Sequence, residues 1–412
     1  MKKAIVVAVG AIWVSTMATL AWAQGEFPMK YTQFTPSDRM LQSRAQKFAM
    51  KTQHRPSQLK ALPKDVSGEV ACFLAPVNGR EVLMVLDSSN PPKLYVDTKG
   101  DNDLSDERPL TATTEQQMAQ FGPISFAPTG VQEGQPLTIR VTAYMREVGP
   151  QYLILQPDGY YAGTVQLASE SYTLALLDAN LDGRYNVPIS LPFPANPSSR
   201  PESDKIAIDL NKDGNFDSLQ TMEIFPLGRM IAVKDTYYSV KLAPNGTLVT
   251  LDKVAPPLAT LDVKCLGAEL ALWSDTCPSQ VGGADGKWKL PAGRYMTSSL
   301  RLVKKDKDGV QWALSGFAQN GKLRDMDLRQ GKPAVIKMGT PLVMKVEAYR
   351  YAGSSAGGQN GTAISINMSL LGQAGEQYAA RVTKNGEALP PPKFRIISRA
   401  GRTLDSGTFE YG

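Results

Sequence analysis

The chain has few of the residues that most metal and redox centres need. Its 412 residues include one histidine, His54, and three cysteines. A single imidazole excludes sites that need two, such as H-E-x-x-H zinc proteases and His-rich copper sites. Three widely spaced cysteines exclude a four-cysteine zinc ribbon or an iron–sulfur cluster. A metal site in this chain would therefore have to use oxygen ligands.

The chain also lacks a strong excess of either charge. The formal net charge is +6, and charged residues are 20% of the chain against 42% hydrophobic residues. This composition is typical of a folded protein with a sizeable core. The positive excess is small for a protein that binds nucleic acid, so we expect no nucleic-acid partner.

The first 23 residues have the features of a secretory signal peptide. Lys2 and Lys3 form a positive start, an apolar stretch follows, and residues 21–23 read Ala-Trp-Ala, an A-x-A cleavage signal. We expect residues 1–23 to be removed and the mature chain to be exported, either to the periplasm or out of the cell. The alternative is an uncleaved anchor, although no later segment reaches about 18 apolar residues. After cleavage we expect no membrane span.

Export to an oxidising compartment bears on the cysteines. Cys265 and Cys277 are candidates for a disulfide that closes a short loop, or they remain free thiols. Cys72 lies in the apolar run VACFLAP, where we expect it to be buried as a small apolar residue.

The pattern of apolar residues predicts a mainly β protein. Short runs rich in Val, Ile, Leu and Tyr alternate with turns of Gly, Pro, Asn and Asp, without β–α alternation. The pair 152–156 and 160–167, around Pro157-Asp158-Gly159, predicts a hairpin. One segment, 37–55, predicts a helix that ends before Pro56. The apolar residues at helical spacing in that segment are Met40, Leu41, Ala45, Phe48 and Ala49.

These elements predict a multi-domain, antiparallel β-sandwich-like architecture with a short N-terminal helix. Changes in composition and the proline-rich segments suggest where the boundaries fall. The expected parts are a signal peptide (1–23), an N-terminal helical segment (24–60), a β domain with acidic calcium-type loops (61–258), a second β domain (259–340) and a C-terminal Ig-like β domain (341–412).

Three predicted strands run into acidic loops of one design, at 97–107, 178–186 and 209–217. The second and third loops match the calcium-binding pattern D-x-[DN]-x-[DN]-G. Calcium takes about six to eight oxygen ligands. In such a loop, ligands come from positions 1, 3, 5 and 9 and from the backbone carbonyl of position 7. The apolar residue at position 8 would anchor the loop to the core. The candidate ligands are Asp178, Asn180, Asp182, Arg184 and Asn186 in the second loop, Asp209, Asn211, Asp213, Asn215 and Asp217 in the third, and Asp97, Asp101 and Asp103 in the first.

The loops depart from an EF-hand in three ways. Strands rather than helices flank them, and the bidentate Glu at position 12 is replaced by Ile189 and Gln220. Glu223, three residues further, is a candidate for the missing oxygens of the third loop. In the first loop Lys99 replaces a ligand and Asn102 replaces the Gly, so that Asp103, Asp106 and Glu107 would have to compensate. We expect weak binding, of about 10⁻⁴–10⁻³ M. The alternative is that Asp, Asn and Gly here only form turns.

The chain resembles a group of exported bacterial proteins of unknown function, of the planctomycete type, with EF-hand-like loops and a C-terminal Ig-like β domain. The resemblance rests on the three loops and on LPAGRYM (290–296) and SGTFEYG (406–412), and runs from about residue 60 to the C-terminus. It implies export, β-rich domains and calcium as the cofactor, with Asp178, Asn180, Asp182, Asp209, Asn211, Asp213 and Asp217 as ligands.

Three functions compete. The first is an exported calcium-binding β protein with a structural or interaction role, whose partner is an unknown surface protein or polysaccharide. The second is a secreted hydrolase with paired carboxylates. The one G-x-S-x-G match, at residues 353–357, falls in a glycine-rich stretch that predicts a flexible loop, and His54 is the one imidazole of the chain. We therefore expect no enzyme activity. The third is a carbohydrate or cell-surface binding module. Its aromatic platform would consist of Tyr160, Tyr161, Tyr237, Tyr238 and Trp273, unless these are core residues.

Overall fold

The computed structural model describes nine stretches of the chain. They are residues 24–115, 118–127, 136–144, 152–190, 202–216, 223–283, 286–318, 321–354 and 360–409. The expected signal peptide (1–23) and two residues of the third loop region, Asp217 and Gln220, lie outside these stretches.

The described residues are mainly β, as the sequence predicts. Within these stretches the strands pair antiparallel apart from one parallel pair, and the one α-helix, α1, spans Arg39–Arg44. The described strands before residue 168 are β1 (Gln24–Pro28), β2 (Lys30–Gln33), β3 (Lys47–Met50), β4 (Val70–Val77), β5 (Arg80–Asp87), β6 (Lys93–Val96), β7 (Leu110–Thr111), β8 (Thr113–Glu115), β9 (Met118–Phe126), β10 (Leu137–Tyr144), β11 (Tyr152–Pro157) and β12 (Gly159–Leu167).

The remaining strands fall on either side of residue 255. The strands that the structure describes before it are β13 (Glu170–Leu177), β14 (Lys205–Ile208), β15 (Ile224–Pro226), β16 (Met230–Val233), β17 (Thr236–Leu242) and β18 (Leu248–Val254). Those described after it are β19 (Leu258–Val263), β20 (Ala268–Trp273), β21 (Ser279–Gly282), β22 (Lys287–Pro291), β23 (Gly293–Lys305), β24 (Gln311–Phe317), β25 (Met326–Leu328), β26 (Ala334–Ile336), β27 (Val343–Ser354), β28 (Asn360–Leu371), β29 (Gln377–Lys384), β30 (Glu387–Ala388), β31 (Lys393–Ile397) and β32 (Thr403–Thr408).

The first pair of packed sheets has the strand orders β3-β11-β10-β9-β8 and β4-β5-β6-β7. Alternate residues of β10 are buried, because successive side chains of a strand point to opposite faces. Phe73, Met84 and Ile139, all fully buried, belong to the core between the two sheets. The other face of β5 is covered by a separate cluster that includes Leu104 from the first acidic loop.

The second pair of sheets carries the second and third acidic loops. Its strand orders are β15-β14-β13-β12-β2 and β1-β18-β17-β16, with a shared core that includes Leu174, Ile206 and Val249. Helix α1 covers the outer face of the first of these sheets through Leu41, which packs in a cluster with residues of β13 and β14. Strands β1, β2 and β3 come from the expected N-terminal helical segment, so that segment is built into both pairs of sheets.

The last strands form a third β unit. A long sheet of order β21-β20-β23-β24-β29-β28-β27 packs its apolar residues with a smaller sheet of order β22-β19-β26. Strand β24 pairs with β29, so one sheet contains strands from both sides of residue 340. Strands β31 and β32 form a separate hairpin. No helix within the described stretches is long and apolar enough to cross a membrane.

The predicted helix over 37–55 is wrong in its second half. Helix α1 ends at Arg44, and Lys47–Met50 is strand β3, which pairs with β11. Because successive side chains of a strand point to opposite faces, Ala49 is buried while Phe48 is 47% exposed. The Phe48 ring lies against the Tyr152 ring, with 5.7 Å between the ring centroids. A short apolar pattern is compatible with a helix or a strand, and here pairing with β11 makes residues 47–50 a strand.

The predicted hairpin at Pro157-Asp158-Gly159 is also wrong. Strand β11 pairs with β10 and β3, whereas β12 pairs with β13 and β2, so the two strands belong to different sheets. The buried Asp158 carboxylate receives hydrogen bonds from Arg140 Nε (2.5 Å) and Gln33 Nε2 (3.2 Å). These bonds hold the chain where it passes from one sheet to the next.

The three cysteines are free thiols, so the Cys265–Cys277 disulfide is absent. Cys265 follows β19, and its Sγ atom lies against Gly339. Cys277 is fully buried between β20 and β21, which belong to the other sheet. Cys72 is buried in β4, as the sequence predicts.

Candidate calcium loops

The three acidic loops follow the ends of β6, β13 and β14. Strands β13 and β14 are antiparallel neighbours, with Leu177 opposite Lys205 and Leu174 opposite Ile208. The loop after β13 and the loop after β14 therefore lie at opposite ends of the same sheet. The structure thus does not bring the three predicted sites together.

The second and third loops have the same internal hydrogen bonds. In the second loop the Asp178 carboxylate accepts the backbone N–H groups of Asp182 (3.2 Å) and Gly183 (2.8 Å). The Asn180 amide oxygen accepts the Asp182 N–H (3.1 Å), and the Asp182 carboxylate accepts the Arg184 N–H (2.8 Å). These bonds orient the oxygens of positions 1, 3 and 5.

In the third loop the Asp209 carboxylate accepts the N–H groups of Asp213 (3.2 Å) and Gly214 (3.0 Å). The Asn211 oxygen accepts the Asp213 N–H (2.9 Å), and the Asp213 carboxylate accepts the Asn215 N–H (2.8 Å). The repeated sequence pattern therefore corresponds to a repeated loop geometry.

The backbone of the first loop has the same two unusual positions as the other loops. Positions 4 and 6 have positive φ angles in all three, a conformation that favours glycine and tolerates asparagine. Asn102, predicted as a departure from the pattern, adopts it with a φ of 60°. The other five residues are Gly100 (82°), Leu181 (56°), Gly183 (81°), Lys212 (61°) and Gly214 (83°).

The residue at position 8 anchors each loop, as the sequence predicts. Leu104 is fully buried in the cluster beneath β5, and Tyr185 is buried in the core of the second pair of sheets. Phe216 packs against the cluster formed by α1. Each loop is therefore held to the protein on its apolar side and presents its polar atoms on the other.

Two cationic side chains lie at the first loop, Arg80 of β5 and Lys99 of the loop itself. Arg80 Nη1 lies 3.9 Å from the Asp97 carboxylate, and Arg80 Nη2 donates to the carbonyl oxygens of Asp97 (3.1 Å) and Thr98 (2.9 Å). Lys99, in the place of a ligand, forms an ion pair with Asp106. Asp101 and Asp103 lie nearer the surface. This loop is therefore already partly neutralised.

The second loop buries its first carboxylate without such a cation. Asp178 is fully buried, and Asn180 is 8% exposed. Burial and the negative charge of Asp182 raise the pKa of Asp178 to about 7. Lys47 Nζ reaches the loop but donates to the Asn180 carbonyl oxygen (2.9 Å) and pairs with Glu202 (3.2 Å).

Sequence reasoning missed Asp204, which precedes β14. The register of β13 and β14, with Leu177 opposite Lys205, places Asp204 opposite Asp178. Asp204 is 1% exposed, and its Oδ2 atom accepts the Val187 N–H at 2.7 Å. Burial and the negative charges of Asp178 and Asp182 raise the pKa of Asp204 well above its usual value. The signal in the sequence is an acid directly before the next antiparallel strand.

Glu223 has the corresponding position at the third loop. It directly precedes β15, it is fully buried, and its Oε1 atom accepts the N–H groups of Leu210 (2.9 Å) and Asn211 (3.1 Å). In the first loop Glu107 accepts the Thr98 N–H (3.1 Å) in a similar way. A second carboxylate therefore adjoins each loop.

The other predicted residues contribute less. Ile189, at position 12 of the second loop, is a core residue whose N–H donates to the Leu227 carbonyl (2.8 Å). Asn186 is half-buried, and Asp217 lies outside the described residues. Across the described stretches, no three His, Cys, Asp or Glu side chains form a group that could hold a metal ion by themselves. A cation would therefore also need amide and backbone carbonyl oxygens, as the D-x-N-x-D-G pattern implies.

The predicted aromatic platform does not form. Tyr160, Tyr161 and Tyr238 are buried core residues, whereas Tyr237 and Trp273 are partly exposed. Trp273 lines a cleft of about 490 Å³ next to β14 and β23. His54 is exposed to solvent.

No protein family, curated protein or solved structure matches the chain when it is compared with them.

Proposed function

We propose that the chain is an exported calcium-binding β protein with a structural or interaction role and no enzyme activity. Calcium would be held by the loops 178–186 and 209–217. The observation that carries this proposal is the buried Asp178 carboxylate at the head of a D-x-N-x-D-G loop, which no cationic side chain neutralises within the described residues. The same loop geometry recurs at Asp209.

The physical role of calcium would be to stabilise the connections of one sheet. The two loops follow β13 and β14, and each adjoins an acid that precedes the next strand. A ligand that binds only the folded state adds RT ln(1 + [L]/Kd) to stability, or about 2.7 kcal/mol at 100 times Kd. With a Kd of about 10⁻⁴–10⁻³ M, the effect would appear at millimolar calcium, as in extracellular modules.

The test is thermal melting of the mature chain (24–412) in EDTA and across a calcium titration. We expect millimolar calcium to raise the midpoint of the wild type by several degrees and to have little effect on Asp178→Ala/Asp209→Ala. Asp306→Ala is the matched control, because Asp306 also accepts two loop N–H groups, from Asp308 and Val310, but lies in a hairpin of another sheet. If calcium leaves the wild-type midpoint unchanged, the proposal is wrong.

A second candidate, carbohydrate or cell-surface binding, is favoured by the cleft at Trp273. Arg44, Lys205, Gln280 and Arg301 also line this cleft, so an indole ring lies among hydrogen-bond donors. Such a combination suits a sugar, which offers an apolar face and hydroxyl groups. Retention of the wild type but not of Trp273→Ala on an immobilised polysaccharide would support this candidate.

A further inference from the structure

We propose that the Asp204 carboxylate is a ligand of the cation held by the loop 178–186, where it replaces the missing acid of position 12. This inference rests on the proposed calcium function and adds a residue to that site. Ile189, which occupies position 12 in sequence, is buried in the core and has no side-chain oxygen. The replacement comes from 26 positions beyond Asp178, at the start of the next strand.

The placement of Asp204 is fixed from several sides. Its N–H donates to the Val187 carbonyl (2.9 Å), and its own carbonyl accepts the Leu227 N–H (2.8 Å). Its Oδ2 atom accepts the Val187 N–H (2.7 Å). The antiparallel pairing of β13 and β14 ends with Leu177 opposite Lys205. Asp178 follows Leu177 and Asp204 precedes Lys205, so these two acids lie opposite each other.

The second carboxylate oxygen of Asp204 is the unusual feature. Oδ1 is buried and accepts no hydrogen bond of good geometry from the described residues, although the Ala179 N–H lies near the carboxylate. Such an atom normally finds a partner, since leaving it without one costs about 1–3 kcal/mol, and more for a charged group. Asp87, another fully buried acid, shows the ordinary arrangement: its oxygens accept the N–H groups of Ser67, Gly68 and Ser89 at 2.9–3.2 Å.

Two buried acids opposite each other can both be ionised only with a positive charge between them. Like charges directly opposite on adjacent strands are destabilising, and the low dielectric of the interior strengthens the repulsion. Neither Asp178 nor Asp204 forms an ion pair with any described Lys or Arg, and the nearby Lys47 ammonium is bound by the Asn180 carbonyl and Glu202. A divalent cation bound by oxygens of Asp178 and Asp204, together with amide and carbonyl oxygens of the loop, would supply that charge.

The experiment measures calcium binding by calorimetry in the mature chain with Asp209→Ala, which isolates the site at 178–186. We compare this background with three versions that also carry Asp178→Ala, Asp204→Asn or Asp262→Asn. Asn keeps an oxygen that can accept the Val187 N–H but removes the charge. Asp262 is the control, because it is also a buried acid with an unpartnered Oδ1 atom, but it lies in β19 and its Oδ2 atom pairs with Lys264 (2.7 Å).

We expect Asp204→Asn to raise the Kd for calcium about tenfold or more, Asp178→Ala to abolish binding, and Asp262→Asn to leave the Kd unchanged. In EDTA the melting midpoint of Asp204→Asn should equal or exceed that of the background, because one of two buried acids that repel each other when ionised is gone. A purely structural Asp204 would instead lower the midpoint in EDTA.

The outcomes separate the two proposals. If the background binds calcium, Asp178→Ala does not, and Asp204→Asn binds as tightly as the background, the role of Asp204 is wrong while the calcium function stands. If the background binds no calcium, both are wrong. Asp204→Ser, which removes the carboxylate and keeps a hydroxyl acceptor, is the second variant should Asp204→Asn fold poorly.

Discussion

The Arg80 guanidinium lies 3.9 Å from the buried Asp97 carboxylate, so the first acidic loop carries a cation of its own. The same carboxylate also accepts the N–H groups of Gly100 (2.6 Å), Asp101 (3.2 Å) and Asn102 (3.1 Å). Asp97 therefore has the partners that a bound ion would otherwise provide. In the second loop the corresponding Asp178 has the loop amides alone and faces another acid.

We predict that the stabilising role of Asp97 does not depend on calcium. Asp97→Ala should lower the free energy of unfolding by about 1.5–3 kcal/mol, because it removes hydrogen bonds to a charged acceptor and leaves Arg80 without its partner. Denaturant unfolding in EDTA and in excess calcium should give the same loss. A loss that appears only in calcium would show instead that Asp97, Asp101 and Asp103 form a metal site.

The loops could be predicted from sequence because their geometry is local. Positions 1, 3, 5 and 6 contact one another within a few residues, so a short pattern contains the whole hydrogen-bond set. Asp204 could not be found in this way. Its place opposite Asp178 depends on the register of β13 and β14, and a proline- and serine-rich segment separates these strands in sequence.

The mainly β class was predictable for a similar reason, because the alternation of apolar and polar residues along a strand is a local pattern. The partners of each strand could not be predicted. The apolar spacing over Met40–Ala49 suits a helix, and only contact with β11 makes part of it a strand. Pro157-Asp158-Gly159 has turn chemistry, yet bonds from Arg140 and Gln33 hold it between two sheets. In both cases residues distant in sequence decide the local structure.

Gly214 offers a test of the loop backbone that is separate from packing. Its φ of 83° is left-handed, and a Cβ atom at this position would meet nothing within 4 Å. Gly214→Ala should therefore cost only the backbone strain, about 1–2 kcal/mol, which denaturant unfolding in EDTA would measure. Gly25→Ala in β1 is the control, because its Cβ would make an ordinary contact with Phe27 at 3.5 Å, and we expect no loss. Equal effects at the two positions would contradict the left-handed loop.

The thiols should be distinguishable by alkylation of the native protein. Burial raises the pKa of Cys277 to about 12, so its reactive thiolate is scarce at pH 8 and becomes more abundant as the pH rises. Burial and the charge of Glu376 also raise the pKa of Cys265, but this thiol is only half-buried. We expect iodoacetamide to label Cys265 first and Cys277 only on unfolding, as measured by mass spectrometry of peptides. A native mass lower by two hydrogens, with neither residue labelled, would show a disulfide instead.

The neighbours Phe48 and Ala49 test whether this segment is strand or helix. Ala49 is 1% exposed in the core between the first two sheets, whereas Phe48 is 47% exposed on the other face of β3. Ala49→Asp would bury an unpaired carboxylate and should destabilise the protein by more than about 3 kcal/mol, or prevent folding. Phe48→Asp should cost about 1 kcal/mol or less, because the strand already exposes this side chain to water and the loss is confined to its contact with Tyr152. On a helix with both residues on the apolar stripe, the two substitutions would be similarly damaging, so denaturant unfolding of the pair distinguishes the two structures.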